Sequence, residues 1–143
     1  MKLSTKSRYG TRAMLDIALH CNKGPVSLKD MANRQGISIK YLEQIIPTLK
    51  AAGFIRSIRG ASGGYVLTKD ARQIKLLDIV QALEGSLAPV DCVDIPKICP
   101  RVNDCAARDV WKELQESINK TLGSLTLADL VERQKLKVQD HYS

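Results

Sequence analysis

The chain has 143 residues, of which 44% are apolar and 26% are charged. This composition allows one domain with a hydrophobic core, or a small domain plus an extension, and does not indicate a disordered chain. Residues 1–75 hold 14 Lys and Arg against 4 Asp and Glu, whereas residues 76–143 hold 8 against 11. The basic half predicts a polyanionic partner. No segment approaches the roughly 18 apolar residues of a membrane span, and the N-terminus lacks a signal peptide's apolar core, so we expect a cytoplasmic protein without a membrane partner.

The first predicted helix is amphipathic and runs from about Thr5 to Cys21. Its apolar stripe has helical spacing and consists of Met14, Ile17, Ala18 and Cys21. Because Cys21 falls on this stripe, it is expected to be a buried structural cysteine. The sequence Asn-Lys-Gly-Pro at residues 22–25 ends the helix. His20 and His141 are isolated and are expected on the surface.

Two short helices separated by a glycine turn follow. Ser27 caps the first of them, Gly36 ends it, and Ser38 caps the second at once. The apolar stripe of the second helix consists of Leu42, Ile45, Ile46 and Leu49. Pro47 lies inside this helix and is expected to bend it or to end it early, because proline removes a backbone hydrogen bond. Such a pair is the helix-turn-helix pattern.

A glycine-rich hairpin is predicted next, with strands over Phe54–Ile58 and Tyr65–Thr68. Its tip is Arg-Gly-Ala-Ser-Gly-Gly at residues 59–64. A hairpin placed directly after a helix-turn-helix makes the predicted module a winged helix-turn-helix.

The second half of the chain is predicted to be helical apart from one loop. A helix over Leu76–Leu83 leads into a loop over residues 86–104 that is rich in proline and aspartate. A long helix starts near Cys105, and Thr126 caps a short terminal helix. The last residues are polar and are expected to fray.

Several residues of the first half are predicted to contact DNA. The second helix of the pair presents its N-terminal side chains to base edges, which here are Ser38, Lys40, Tyr41, Glu43 and Gln44. Arg59 and Gly60 at the hairpin tip suit a narrow minor groove. The predicted phosphate contacts are Ser4, Thr5, Lys6, Arg8 and Tyr9. The alternative is a helical module with no DNA partner, in which Lys6, Arg8 and Glu43 are solvated charges.

Three cysteines, Cys92, Cys99 and Cys105, follow the spacing C-x6-C-x5-C inside the loop. Disulfides are rare in the cytoplasm, so metal ligation or redox sensing is the favoured interpretation. Thiolates select iron–sulfur clusters, zinc or copper. Zinc fits less well because its sites use closer pairs and four ligands, whereas a wider loop can wrap a cluster. The alternative is that all three are free thiols.

Three segments together resemble the Rrf2 family of bacterial transcription regulators, and above all its IscR-like iron–sulfur branch. They are residues 1–10 (MKLSTKSRYG), residues 41–44 (YLEQ) and residues 58–65 (IRGASGGY), and the three cysteines complete the match. The resemblance implies a homodimer whose long C-terminal helices cross, through the stripe Trp111, Leu114, Ile118 and Leu122. It also implies palindromic operator DNA and a cluster held by the loop ahead of that helix.

One position departs from the IscR-like pattern, which has a histidine three residues after the third cysteine. Here that residue is Arg108, and arginine cannot be deprotonated to act as a ligand. The fourth ligand is therefore open among nearby aspartates, a residue of a second subunit, and a small thiol or water; the aspartates are Asp91, Asp94, Asp104 and Asp109. A carboxylate near the start of the first helix serves some nitric-oxide-sensing relatives, but this chain has Arg8 there. A [2Fe-2S] cluster is favoured over a [4Fe-4S] cluster.

With the resemblance, the expected fold is mainly α with a small β-hairpin wing, a winged helix-turn-helix plus a long C-terminal dimerisation helix. The predicted divisions are residues 1–85 for the DNA-binding domain, 86–105 for the cysteine loop, 106–131 for the dimerisation helix and a short terminal helix, and 132–143 for a flexible tail.

The predicted function is a homodimeric transcription regulator whose operator binding is controlled by the cluster, in iron–sulfur, redox or nitric oxide sensing. The first alternative is a cluster-free regulator of the same family that signals through its thiols or a partner protein; the cysteine-metabolism branch shares the DNA-binding half but lacks the cysteine trio. The second is a small iron–sulfur carrier. No enzyme is expected, because the sequence has no nucleotide loop, acid–base pair or nucleophile triad.

Overall fold

A computed structural model describes residues 2–142 and confirms a mainly helical fold with one antiparallel hairpin. The elements in chain order are α1 (Thr5–Leu19), α2 (Leu28–Gln35), α3 (Ile39–Ala51), β1 (Ile55–Ile58), β2 (Gly64–Leu67), α4 (Leu76–Glu84), α5 (Asp91–Asp94), α6 (Ala106–Gly123) and α7 (Leu127–Tyr142). Among these residues, no helix is long and apolar enough to cross a membrane.

Serine side chains begin the first three helices. Ser4, Ser27 and Ser38 each accept a hydrogen bond from the backbone amide three residues on, at 3.1 Å in every case. Each cap satisfies one of the amides that a helix start leaves unpaired. Gly36 separates α2 from α3 and has a left-handed backbone with φ 63°, which glycine adopts without steric cost. The local sequence therefore sets the boundaries of the helix-turn-helix.

The hydrophobic core lies around α1. Its fully buried apolar side chains come from α1, α2, α3, α4, α7 and the loop before α4: Met14, Ile17, Met31, Leu42, Ile45, Leu49, Ile74, Ile79 and Leu127. Burial of each such side chain stabilises the folded state by roughly 1.5–3 kcal/mol. The stripes predicted for α1 and α3 account for most of this set, which explains why these helices pack as the sequence indicates.

A buried carboxylate joins α1 to α2. Asp16 has no exposed surface, and both its oxygens accept hydrogen bonds from the Arg34 guanidinium, at 2.9 and 2.8 Å. The Gln35 side-chain amide donates a third bond at 3.0 Å. The hydrogen bonding of the Arg34 guanidinium to the Asp16 carboxylate is the leading cause that raises the pKa of Arg34 above its ordinary value. Removing a carboxylate from water is costly unless it is paired and hydrogen-bonded, and here Asp16 is both.

The hairpin is attached to the helical core at its base. Ile55 pairs with Leu67 and Ile58 with Gly64, and Tyr65 forms a further bridge to Val26 ahead of α2. A side chain at Gly64 would collide with the Val26 backbone, and one at Gly63 with the Ile58 carbonyl. The two glycines therefore let the hairpin close and dock, which fixes the direction in which its tip points.

The terminal helix packs against the first helices of the fold. The amide of Leu127 donates to the Ile74 carbonyl at 2.8 Å, and the amide of Leu76 donates to the Leu125 carbonyl at 2.9 Å. Leu127 and Val131 lie in the same core as α1. The terminal helix is therefore longer than the short helix that the sequence predicts, and it packs on the core of residues 1–85. The predicted tail from residue 132 is also helical through Tyr142, since α7 continues from this buried start; Ser143 and the side chain of His141 lie outside the described residues.

Two local predictions for the first helices were wrong, the burial of Cys21 and an early end of the third helix at Pro47; a bend at Pro47 stays a prediction. Cys21 is exposed and not buried, because α1 ends at Leu19 and a 3₁₀ turn over Cys21–Lys23 takes the chain away from the core. Helix α3 continues through Pro47 to Ala51. Pro47 is on the exposed side of α3, so water can reach the Glu43 carbonyl that loses its partner amide there.

We expect Arg34→Met to lower the free energy of unfolding by roughly 2–4 kcal/mol, because it leaves the buried Asp16 carboxylate without its cation. This loss in the free energy of unfolding is somewhat smaller than the loss expected on breaking a fully buried ion pair, since Arg34 is partly exposed. Urea unfolding at neutral pH measures the change. Arg72→Met is the matched control, because Arg72 pairs with Asp70 on the surface, and it should change little. Equal losses in the two variants would contradict the assigned role.

Candidate nucleic-acid interface and cysteine loop

The start of α3 presents polar side chains to solvent. Lys40, Glu43 and Gln44 are all exposed and share one face of the helix, since residues three and four apart are neighbours. Ser38 is exposed as well, and its hydroxyl oxygen accepts the Tyr41 amide bond that caps the helix. The predicted base-reading residues thus lie together, while Tyr41 is half-buried and turns toward α1.

Tyr41 links α3 to the start of α1. Its ring meets the Tyr9 ring edge to face, with centroids 5.7 Å apart and an interplanar angle of 90°. The Arg8 and Arg12 guanidinium carbons lie 5.9 and 5.4 Å from the Tyr9 centroid, within the range of a cation–π interaction. The structure therefore brings the predicted phosphate contacts of α1 beside the predicted base contacts of α3.

Arg12 belongs to this surface, although sequence analysis did not select it. Its guanidinium donates to the Gln35 side-chain oxygen at 3.2 Å and also to the Gln35 carbonyl. Gln35 is the last residue of α2, so Arg12 holds the turn between α2 and α3 against α1. One signal was present in the sequence, because Arg8 and Arg12 are four residues apart and so lie on one side of a helix.

Ser4 is placed differently from the other predicted phosphate contacts. Its amide donates to Glu84 Oε2 at 3.0 Å and its hydroxyl donates to the same oxygen at 2.7 Å. Ser7 Oγ donates to this oxygen too. The bonds from Ser7 and then Ser4 hold the pKa of Glu84 below its ordinary value. Ser4 is therefore exposed but hydrogen-bonded to α4, whereas the side chains of Arg8, which is exposed, and Lys6, which is half-exposed, form no bond to α4 in the part of the chain that the structure describes.

The hairpin tip is open to solvent. Arg59 and Gly60 are both exposed, and the turn closes through a bond from the Gly63 amide to the Gly60 carbonyl at 3.0 Å. Gly60 has φ 116°, a backbone that other residues rarely adopt. Arg59 is therefore held at the end of a short, fixed hairpin.

The cysteine loop, residues 86–105, contains short helical pieces and not only irregular chain. Cys92 lies in α5, Cys99 follows a 3₁₀ turn, and Cys105 precedes α6. All three are half-buried free thiols. The Arg108 guanidinium donates to the Cys92 carbonyl at 3.2 Å, which joins α5 to the start of α6. Among the described residues, no three histidine, cysteine, aspartate or glutamate side chains converge as ligands of one metal ion.

Helix α6 has no buried residue along its 18 positions. Val110 is 54% exposed and Trp111 is 38% exposed, which is unusual for large apolar side chains on one helix. Ile118 and Leu122 line a cleft of about 550 Å³ with residues of the N-terminus and the cysteine loop. The predicted stripe is therefore divided, with Trp111 facing solvent and Leu122 packed on the core.

Comparison with known proteins agrees with these features. The sequence model of the Rrf2 family, described as an iron-dependent transcriptional regulator, matches residues 3–133. The chain is 50% identical over 131 residues to Protein rrf2 of Nitratidesulfovibrio vulgaris Hildenborough, which covers 92% of this chain and 87% of that protein.

Two solved structures share the whole architecture. B. subtilis CymR, described as the global cysteine regulator, superposes with a TM-score of 0.82 at 38% identity, over 93% of this chain and 98% of CymR. T. potens IscR superposes with a TM-score of 0.78 at 43% identity, over 94% of this chain and 88% of IscR. These relatives are transcription regulators and not enzymes, and regulators of this family bind DNA. The chain therefore belongs to the Rrf2 family of transcription regulators, as its sequence predicts.

Proposed function

We propose that this regulator is a homodimer that binds a palindromic operator, with an iron–sulfur cluster on the cysteine loop controlling its affinity for DNA. The observation that carries the proposal is the set of three half-buried free thiols placed between the winged helix-turn-helix and α6. A cytoplasmic location is part of the same proposal.

The DNA contacts we propose are those of one continuous surface. Lys40, Glu43 and Gln44 on α3 enter the major groove, where a glutamine can bond adenine and a glutamate can accept from cytosine. Lys6, Arg8 and Tyr9 on α1 lie beside them through the Tyr9–Tyr41 contact and take the phosphates. The excess of basic residues in residues 1–75 supports this assignment.

The hairpin tip supplies a further test of DNA binding. We expect Arg59→Ala to weaken binding to an operator duplex by about 5- to 150-fold at fixed salt, because a groove contact of roughly 1–3 kcal/mol is lost. Fluorescence anisotropy with a labelled duplex measures the change. Arg133→Ala on α7 is the matched control and should bind as the unaltered protein does. Equal affinity of all three proteins would contradict a role of the wing in DNA binding.

Helix α6 supports the proposal of a homodimer. An 18-residue helix with no buried position and with exposed Val110 and Trp111 has apolar surface to cover. Two copies that cross at α6 would bury these side chains and would set two recognition helices to face successive half-sites of a palindrome.

The donor set fits an iron–sulfur cluster. Thiolates are the usual ligands of such clusters, and Cys92, Cys99 and Cys105 would hold it. Because their side chains do not converge on one metal ion, the loop must draw together to bind a cluster. When bound, the cluster would supply a centre that responds to iron supply, oxidation or nitric oxide. A fourth ligand must come from elsewhere than Arg108, whose guanidinium is bonded to the Cys92 carbonyl. A [2Fe-2S] cluster is the form we favour.

All four nearby aspartates are exposed, but Asp94 accepts a hydrogen bond from Ser86, whereas Asp91, Asp104 and Asp109 have no side-chain hydrogen bond among the described residues. The last three are therefore the better candidates for the fourth ligand within the chain, and a residue of a second copy is the other possibility.

The cluster is tested by substitution of the three cysteines. We expect Cys92→Ala, Cys99→Ala and Cys105→Ala each to lose iron and visible absorption after anaerobic purification, because each removes a thiolate ligand. Cys21→Ala is the control and should keep both, since Cys21 lies outside the loop and is exposed. Iron and sulfide analysis then separates the cluster types, with about two or four iron atoms per cluster. Iron retained by all three loop variants would contradict the proposal.

A cluster-free regulator is the second candidate, and the similarity to CymR, the described global cysteine regulator, favours it. In that case the three thiols signal through their own oxidation or through a partner protein. A colourless, iron-free protein that still binds DNA would support this candidate over the first. A small iron–sulfur carrier fits less well, because the relatives are regulators.

A further inference from the structure

Glu84 lies where the cysteine loop meets the helices of the DNA-binding surface. It is the last residue of α4, and Gly85, with φ 84°, connects it directly to the loop. Its carboxylate oxygen Oε2 accepts bonds from the Ser4 amide at 3.0 Å, the Ser4 hydroxyl at 2.7 Å and the Ser7 hydroxyl. A single side chain thus ties the entrance of the loop to the first turn of α1.

Next to this contact, α1 and α4 pack closely against each other. A side chain at Gly10 would collide with Leu83, so α1 and α4 approach closely one turn farther along α1. Ser7 is buried, with 1% of its surface exposed. The hydrogen bonds lower the pKa of Glu84, so the carboxylate is charged at neutral pH and faces the positive end of the α1 dipole.

The same turn of α1 carries the proposed DNA contacts. Lys6 and Arg8 flank Ser7, and Tyr9 is stacked edge to face on Tyr41 of α3. A continuous path therefore runs from Gly85 through the Glu84–Ser7 hydrogen bond, along the backbone of α1 to Tyr9, and across the Tyr9–Tyr41 contact to α3. Such a path can couple the loop to DNA binding if it has two arrangements and if the loop and the DNA each favour one of them.

We propose that Glu84 is a positioning residue that couples the cysteine loop to DNA binding. In one arrangement Glu84 holds Ser4 and Ser7, which places Lys6, Arg8 and Tyr9 against the DNA. In the other, a shift of the loop withdraws Glu84 and the start of α1 is released. This inference rests on the proposed DNA binding through α1 and α3, and it holds with or without a cluster.

A purely structural Glu84 would stabilise α1 and do nothing else. Coupling is reciprocal, so if the loop influences DNA binding, DNA binding must also alter the loop. That effect can be measured on cluster-free protein, because hydrogen exchange of the amides of residues 86–105 reports on the loop directly.

The experiment compares three iron-free proteins on one operator duplex, selected by the unaltered protein from a random library. On adding the duplex, we expect hydrogen exchange to change both in α3 and in residues 86–105 of the unaltered protein. In Glu84→Ala the change in residues 86–105 should be lost while protection of α3 remains, since alanine is a good helix former and leaves α4 intact. Glu132→Ala, which removes an exposed carboxylate from α7, should keep both changes.

The proposal is overturned if Glu84→Ala retains the change in residues 86–105, or if the unaltered protein shows none. Should Glu84→Ala fail to fold, Ser7→Ala removes one of the three donors and is judged by the same criterion. Failure of both the iron-free and the anaerobically purified protein to select any duplex would overturn the proposed function and this inference together. A missing cluster, found by iron analysis, would overturn only the cluster part of the proposed function, because the exchange experiment uses no iron.

Discussion

Asp16 is fully buried within the helical core, and its partners Arg34 and Gln35 both belong to the last turn of α2. This pairing fixes the angle between α1 and α2, and the Gly36 turn then sets the position of α3. Arg12 reinforces the same turn from the α1 side through Gln35. The proposed DNA-binding surface depends on this arrangement, because Tyr9 and Tyr41 can meet only when α1 and α3 lie at this distance.

Helix α1 is therefore both the centre of the core and one edge of the recognition surface. Its middle residues are buried against α2, α3, α4 and α7. The start of the helix carries basic side chains and donates hydrogen bonds to the Glu84 carboxylate. A close-packed interior transmits strain, and α1 is packed along most of its length. We therefore place the proposed coupling between the cysteine loop and DNA in α1.

The two solved structures of the family do not answer whether this regulator works with a cluster or without one. T. potens IscR and B. subtilis CymR both superpose on nearly the whole chain, so the backbone does not decide between the two functions proposed above, with and without a cluster. The distinction lies in the side chains of the loop. In the proposed cluster site the three loop thiols would be ligands, and Arg108, held on the Cys92 carbonyl, would leave the fourth ligand to another position.

The helix caps, the glycine turns, the apolar stripe of α3, most of that of α1 and the family could be predicted from the sequence, because capping, positive φ and helical periodicity are local properties. The sequence also placed Lys40, Glu43 and Gln44 on one exposed face. Only the tertiary structure showed that α7 returns to the core, that Cys21 is exposed and that Glu84 binds Ser4 and Ser7. Those features join residues far apart in the chain, and no local pattern encodes which distant side chain completes a buried hydrogen bond.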